Sequence, residues 1–163
     1  MKNLKRETML VISLIGLAVA SRLLPHPPNF APITGIALFA AARFQQKWFA
    51  FLLPLFCLFI TDLVLGLSWI NLFVYGSFAL ISLMGMRREK LHFPSILAGS
   101  TLFFVVSNLG VWLLHYPLTL EGLMSCFTLA IPFFGNTLAG DLFYTFVLFT
   151  TFSAVKKTYL QTA

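Results

Sequence analysis

From Met9 to Val155 the sequence alternates long apolar runs with short polar loops, and most of its cations sit in the loops. A chain of 163 residues that is 59% hydrophobic and 10% charged, with mean hydropathy +0.90, lacks the polar side chains to cover a soluble fold. Soluble globular proteins carry charge on roughly a quarter of their residues. The pattern predicts an all-α membrane protein, one transmembrane helical domain over 1–163. The net charge of +6 is spread over loops at regular intervals rather than gathered on one face. That spacing is a topology signal, and it argues against a nucleic-acid partner.

The runs place the spans. Lys2, Lys5 and Arg6 precede the apolar stretch Met9–Ala20, read as an uncleaved first helix over Thr8–Leu24. Ala18-Val19-Ala20 imitates a signal cleavage site, but the chain stays hydrophobic beyond it. A short segment, Pro32–Phe44, reaches only about 20 Å, too little for a hydrocarbon core of about 30 Å. It is read either as a broken helix of the kind that marks binding sites in transporters or as a plain interfacial helix. Trp48–Leu67, Ile70–Met86 and Phe93–Leu114 read as full spans, with Pro54 a tolerated kink. The last apolar region, Leu123–Val155, is too long for one span and is interrupted by Pro132 and Gly135. Either Leu123–Phe134 lies at the outer interface while Gly135–Val155 crosses, or both pieces cross.

Charge decides between them. Six crossings place Met1–Glu7, Arg43–Lys47, Arg87–Lys90 and Lys156–Lys157 in the cytoplasm, so that ten of the eleven Lys and Arg residues share one side and only Arg22 does not. The expectation is a six-transmembrane-helix bundle in a bacterial inner membrane, with both termini cytoplasmic, a proline-rich outer loop and a short second helix.

That loop is the irregular part of the chain. Ser21–Gly35 holds four of the eight prolines, Pro25, Pro27, Pro28 and Pro32, together with Arg22, His26 and Asn29. Proline removes amide donors and fixes φ, so no regular helix runs through them. In a bilayer such backbone survives only at the interface, buried in protein, or lining a wet cavity. It is read as an extended cap over the outer helix ends.

With this topology Arg22, His26, Asn29, Asp62, Asn108, Trp112, Asn136 and Asp141 fall in or near the outer half, as candidate substrate-binding residues. A charge at a helix centre costs about 2.5–3.5 kcal/mol, so these groups should pair or line a cavity. Arg22 is expected to pair with Asp62 or Asp141, with Asn108 and Asn136 completing the hydrogen bonds. Asn108 and Trp112 are four apart, as are Thr137 and Asp141, and each pair shares a helix stripe. Trp112 is read as a stacking platform for a flat ligand or as an interfacial anchor near His115.

Other chemistry finds little support. Cys57 and Cys126 each stand alone in apolar sequence, without metal-ligand spacing or a disulfide framework. His26, His92 and His115 are scattered, with His92 expected in the cytoplasm. Nothing resembles a nucleophile elbow, a phosphate-binding loop or a dinucleotide fingerprint. No catalytic residue, metal or cofactor is expected, and the chain is not read as an enzyme. Asp62, Asp141 and a histidine are the only acid–base set a membrane-embedded enzyme would have. Ala37-x-x-x-Ala41 and Gly135-x-x-x-Ala139 permit close helix approach, inside the chain or toward a partner.

Arg22–Ile33, Ser107–Trp112, Tyr116-Pro117 and Ala130–Tyr144 resemble a family of small bacterial membrane proteins of unknown function that are labelled as transport proteins. The resemblance covers nearly the whole chain. In size and layout that family is similar to the substrate-binding S components of energy-coupling factor vitamin transporters. The similarity implies a ligand site under the proline-rich loop and a transmembrane coupling subunit with two ATPases as partner. Two functions follow as expectations: a substrate-binding transport component for a small polar solute, or a structural or assembly protein whose polar cluster closes on itself.

Overall fold

The computed structural model describes residues 2–44, 46–86 and 93–160, and every regular element in them is helical. The helices are α1 (Lys2–Arg22), α2 (Ile33–Arg43), α3 (Lys47–Leu65), α4 (Ile70–Met86), α5 (Phe93–His115) and α6 (Leu120–Val155), and a π-helical turn, Lys156–Leu160, prolongs the last. The Arg87–Lys90 cluster and His92 lie outside the described residues. Three helices are long and apolar enough to cross a membrane: Lys47–Leu65, Phe93–His115 and Leu120–Thr158. Large apolar side chains such as Leu17, Leu63, Val64 and Phe146 point outward and are well exposed. An apolar exterior of this kind is what a bundle bathed in lipid presents.

The shortest helix is the centre. α2 has eleven residues, and all from Ile33 to Ala41 are buried. It touches each of the other five helices. Small residues make that approach possible. A Cβ on Gly35 would stand 3.1 Å from the backbone nitrogen of Thr145 on α6, and one on Gly85 of α4 would stand 3.1 Å from the Cβ of Ala41. The Phe39 ring, fully buried, meets Phe149 and Phe152 of α6 edge-on at 5.1 and 5.7 Å. The small pair Ala37 and Ala41 is thus consumed by packing within the chain. Gly135 and Ala139 are on the open side of α6.

α6 departs from the expected break. It runs unbroken through Pro132 and Gly135 for 36 residues. Thr119 caps its start, its hydroxyl accepting from the Gly122 amide at 3.1 Å. Pro132 lies on an exposed face. On either side of it, Phe127 and Phe134 both pack on Phe104 of α5, at 5.7 and 5.0 Å, which keeps the two halves in line. At 1.5 Å per residue the helix is about 54 Å long, against a core of about 30 Å, so it fits a bilayer only inclined or projecting. The contacts show an oblique path across the bundle. Its first half follows α5, from Cys126 against Asn108 to Asp141 against Ser100. Its second half follows α2 and α1, ending at the Lys156–Glu7 ion pair at 2.9 Å.

The cations collect at that same end. Arg43 lies over the Phe152 ring at 4.3 Å, and Lys47 reaches the Met86 carbonyl at 3.4 Å. Arg22, at the other end of α1, is apart from them. Spin labels at Met124 and Ala154, in a variant freed of Cys57 and Cys126, should lie about 45 Å apart for a continuous α6. A hairpin at Pro132 would give a much shorter distance in the same pulsed electron-resonance measurement.

Candidate functional site

The chain between α1 and α2 passes from a largely exposed stretch at Leu23–Asn29 to the buried Pro32. Hydrogen bonds from the Leu23 amide to Ala20 O and from the Phe30 amide to Pro27 O turn the backbone at each end. Asn29 sits at φ 64, a left-handed conformation that asparagine adopts more readily than most residues. The His26 ring braces the loop, with Nε2 3.1 Å from Arg22 O and Nδ1 3.0 Å from Pro27 O. Beyond it, Phe30 and Ala31 rest on α6 at Gly140, where a Cβ would come within 3.1 Å of their backbone. Phe30 then packs against Phe143 and Tyr144. Pro32 starts α2 without any side-chain cap.

Arg22 ties the end of α1 to α3. Its Nη2 lies 2.7 Å from Asp62 Oδ1, and its Nη1 donates to the Thr61 hydroxyl. Asp62, nearly fully buried, uses its second oxygen to accept from Asn71 Nδ2 at 2.7 Å and from the Tyr75 hydroxyl at 2.8 Å. Gly66, at φ 109, ends α3 and makes the sharp turn that brings α4 back alongside. The carboxylate is therefore matched by one cation and two neutral donors. The partners foreseen for this pair, Asn108 and Asn136, are replaced by Asn71 and Tyr75, because α4 follows α3 directly and α5 and α6 do not reach Asp62.

Deeper in the bundle is a second carboxylate. Asp141 is 2% exposed, accepts from the Ser100 hydroxyl at 2.6 Å, and has Thr34 as a further hydroxyl partner. Among the described residues no Lys, Arg or His lies within 4.0 Å of it. Above it opens a cavity of about 200 Å³ that all six helices line. Asp141, Thr137 and Thr34 form its polar floor, while Leu58, Val74, Phe78 and Phe103 supply apolar walls. Arg22, His26 and Asn29 stand at its rim on α1 and the loop.

Four of the eight candidate residues thus line one cavity: Arg22, His26, Asn29 and Asp141. Asp62 adjoins it through Arg22. The other three are elsewhere. Asn108 Nδ2 donates to Phe104 O on its own helix at 2.7 Å. Trp112 Nε1 donates to Pro117 O at 3.0 Å and fastens the α5–α6 turn. Asn136 is half-buried on α6 outside the lining. Thr34, Ser100, Asn71 and Tyr75 escaped the sequence reading. Asn71 and Tyr75, four apart across a tight turn from Asp62, carried a signal; Ser100 carried none. Among the described residues no three His, Cys, Asp or Glu side chains gather as a metal site.

Over residues 2–162 the chain matches a sequence family described as a Family of unknown function (DUF6580). No curated protein and no solved structure matches it.

Arg22→Ala and Asp62→Ala should each destabilise the fold, and the double variant should cost little more than either alone. The expected coupling is about 1–3 kcal/mol by equilibrium unfolding in detergent. Asn136→Ala serves as the control and should change stability little.

Proposed function

We propose that this chain, which belongs to that family of unknown function, is the solute-binding component of a membrane transport system, holding a small polar solute beneath the Leu23–Pro32 loop. The observation that carries this reading is the cavity itself, lined by irregular backbone and by a buried carboxyl that has no cation within 4.0 Å among the described residues. Polar groups inside a bilayer are costly, and where they persist they are paired or they serve a pathway. Broken or short helices beside such groups are the usual architecture of transporter sites. α2 with its loop has that form, and its first-turn residues Ile33 and Thr34 line the cavity. The reading involves binding and no chemical conversion.

A structural role is the second reading, and the Arg22 cluster favours it, since every charged group there has a partner. It gives the cavity beside Asp141 no part to play. Energy for movement would come from outside the chain, which carries no nucleotide-binding motif. The proposed partner is a transmembrane coupling subunit with ATPases, and the open face at Gly135 and Ala139 permits close approach of a helix.

The proposed setting is the bacterial inner membrane, crossed six times with both termini in the cytoplasm. Support comes from the gathering of Arg43, Lys47 and Lys156 at one end of the bundle. Single cysteines at Trp69 and Leu118, in the Cys-free variant, should react with a membrane-impermeant maleimide in intact cells, and one at Thr158 should not.

A thermal-unfolding screen of the detergent-purified protein against vitamins, nucleobases, amino acids and amines tests the binding reading. A ligand at one hundred times its Kd adds about 2.7 kcal/mol to the folded state, a shift well within detection. A specific hit, weakened by Thr137→Val, is the expected outcome. No hit from a well-folded sample would favour the structural role.

A further inference from the structure

The charges around the cavity select among small polar solutes, and this step rests on the binding reading above. We propose that the cavity takes an organic solute bearing an ammonium group, which docks on Asp141. The charged and titratable side chains facing the cavity are Arg22, His26 and Asp141, with Asp62 and Tyr75 behind Arg22. Arg22 is spent: its guanidinium is turned to Asp62, Thr61 and the Leu58 carbonyl on α3. His26 is held at the rim, both ring nitrogens against loop carbonyls. Setting aside the Arg22–Asp62 pair leaves Asp141 as the acidic group lining the cavity that has no cationic side chain within 4.0 Å among the described residues.

Its protein partners orient it without neutralising it. Ser100 donates at 2.6 Å and Thr34 is the second hydroxyl, while no cationic side chain of the described residues comes within 4.0 Å. The uncapped start of α2 faces the same cavity and contributes about half a positive charge, less than a carboxylate carries. A carboxyl in so apolar a place either keeps its proton or ionises against a counter-charge, and an ammonium group is the counter-charge that fits a carboxylate. The cavity is the side from which one can arrive.

Its size and walls then point to an organic cation. A water claims about 30 Å³ of liquid, so a cavity of about 200 Å³ exceeds what a bare ion with a water or two would fill. Phe78 and Phe103, with ring centroids 5.2 Å apart, form part of the wall above Asp141. Aromatic faces attract ammonium groups, and Leu58 and Val74 suit a carbon skeleton. Thr137 donates its hydroxyl hydrogen to Phe133 O at 3.0 Å, which leaves its oxygen lone pairs free to accept from the solute.

The test compares charge at constant shape. Thermal unfolding of the purified full chain is followed with propylamine against propanol, putrescine against butanediol, and choline against the neutral dimethylbutanol of the same shape. Small carboxylates, sodium chloride and potassium chloride complete the panel. The expected result is that at least one amine raises the midpoint while its neutral counterpart does not, and that Asp141→Asn raises the concentration needed by about ten-fold or more. The wild-type comparison decides the matter even if the variant folds poorly. Equal or better stabilisation by the neutral or anionic compounds would overturn the ammonium assignment and leave the binding reading standing. Stabilisation by sodium alone would overturn it in favour of an alkali-ion site. No response to this panel, alongside a hit for an uncharged solute in the broader screen, would also overturn it; silence in both would remove the binding reading as well.

Discussion

A helix of eleven residues spans about 17 Å and cannot cross a bilayer by itself, yet α2 is the element on which the bundle is assembled. Its inner backbone groups bond within the helix, but its uncapped first turn and its proline-bearing approach, Leu23–Pro32, must be shielded from lipid. The surrounding helices provide the shield. Every residue from Ile33 to Ala41 is buried, and glycines on α4 and within α2 itself let neighbouring backbones close to van der Waals range. In lipid the hydrophobic effect does not drive helices together, so this close packing is what holds the bundle. Placing a half-length helix at the centre has a geometric consequence. The space above its first turn is left for loop, polar side chains and a cavity.

Two carboxylates occupy that space, and they are treated differently. Asp62 is matched by Arg22, Asn71 and Tyr75, so that each of its oxygens has a partner and the charge is cancelled. Breaking one side of such a buried pair leaves the other exposed to a medium that cannot solvate it, which makes the cluster a structural clamp between α1, α3 and α4. Among the described residues Asp141 has hydroxyl partners alone. The same chain therefore contains both a charge-matched polar cluster and one without a cation among the described residues. A structural role accounts for the first; the proposed binding role rests on the second.

The sequence revealed the all-helical class, the apolar spans and the helix order because those depend on hydropathy along the chain. It revealed the Arg22–Asp62 pair as one of two options, since costs in lipid force such groups together. What it did not reveal depends on who lies beside whom. Nothing local marks Ser100 as the neighbour of Asp141, forty-one residues on in sequence. Asn108 and Trp112 read as site residues because they share a stripe with the right chemistry. Yet Asn108 bonds back to its own helix and Trp112 to the following turn, as side chains near helix ends commonly do. Pro132 and Gly135 read as a break because helix propensity is a local property. Packing of Phe127 and Phe134 on one ring of α5 overrides it.

The loop over the cavity is held unevenly, and this bears on how a solute would reach Asp141. At its first end Arg22 is clamped to α3 by an ion pair and a hydroxyl, and His26 is braced against the loop's own carbonyls. At its last end Pro32 passes directly into the buried core of α2. Between them, Phe30 and Ala31 lie on Gly140, Phe143 and Tyr144 through van der Waals and ring contacts. Such contacts are individually weak and have no directional requirement, so separating them costs less than unmaking the clamp. The section of roof at Phe30 and Ala31 rests on Gly140, the residue that precedes Asp141 on α6. A path to the cavity floor along the α6 side would part only the weak contacts. A path past Arg22 would have to strip a part-buried guanidinium of its carboxylate.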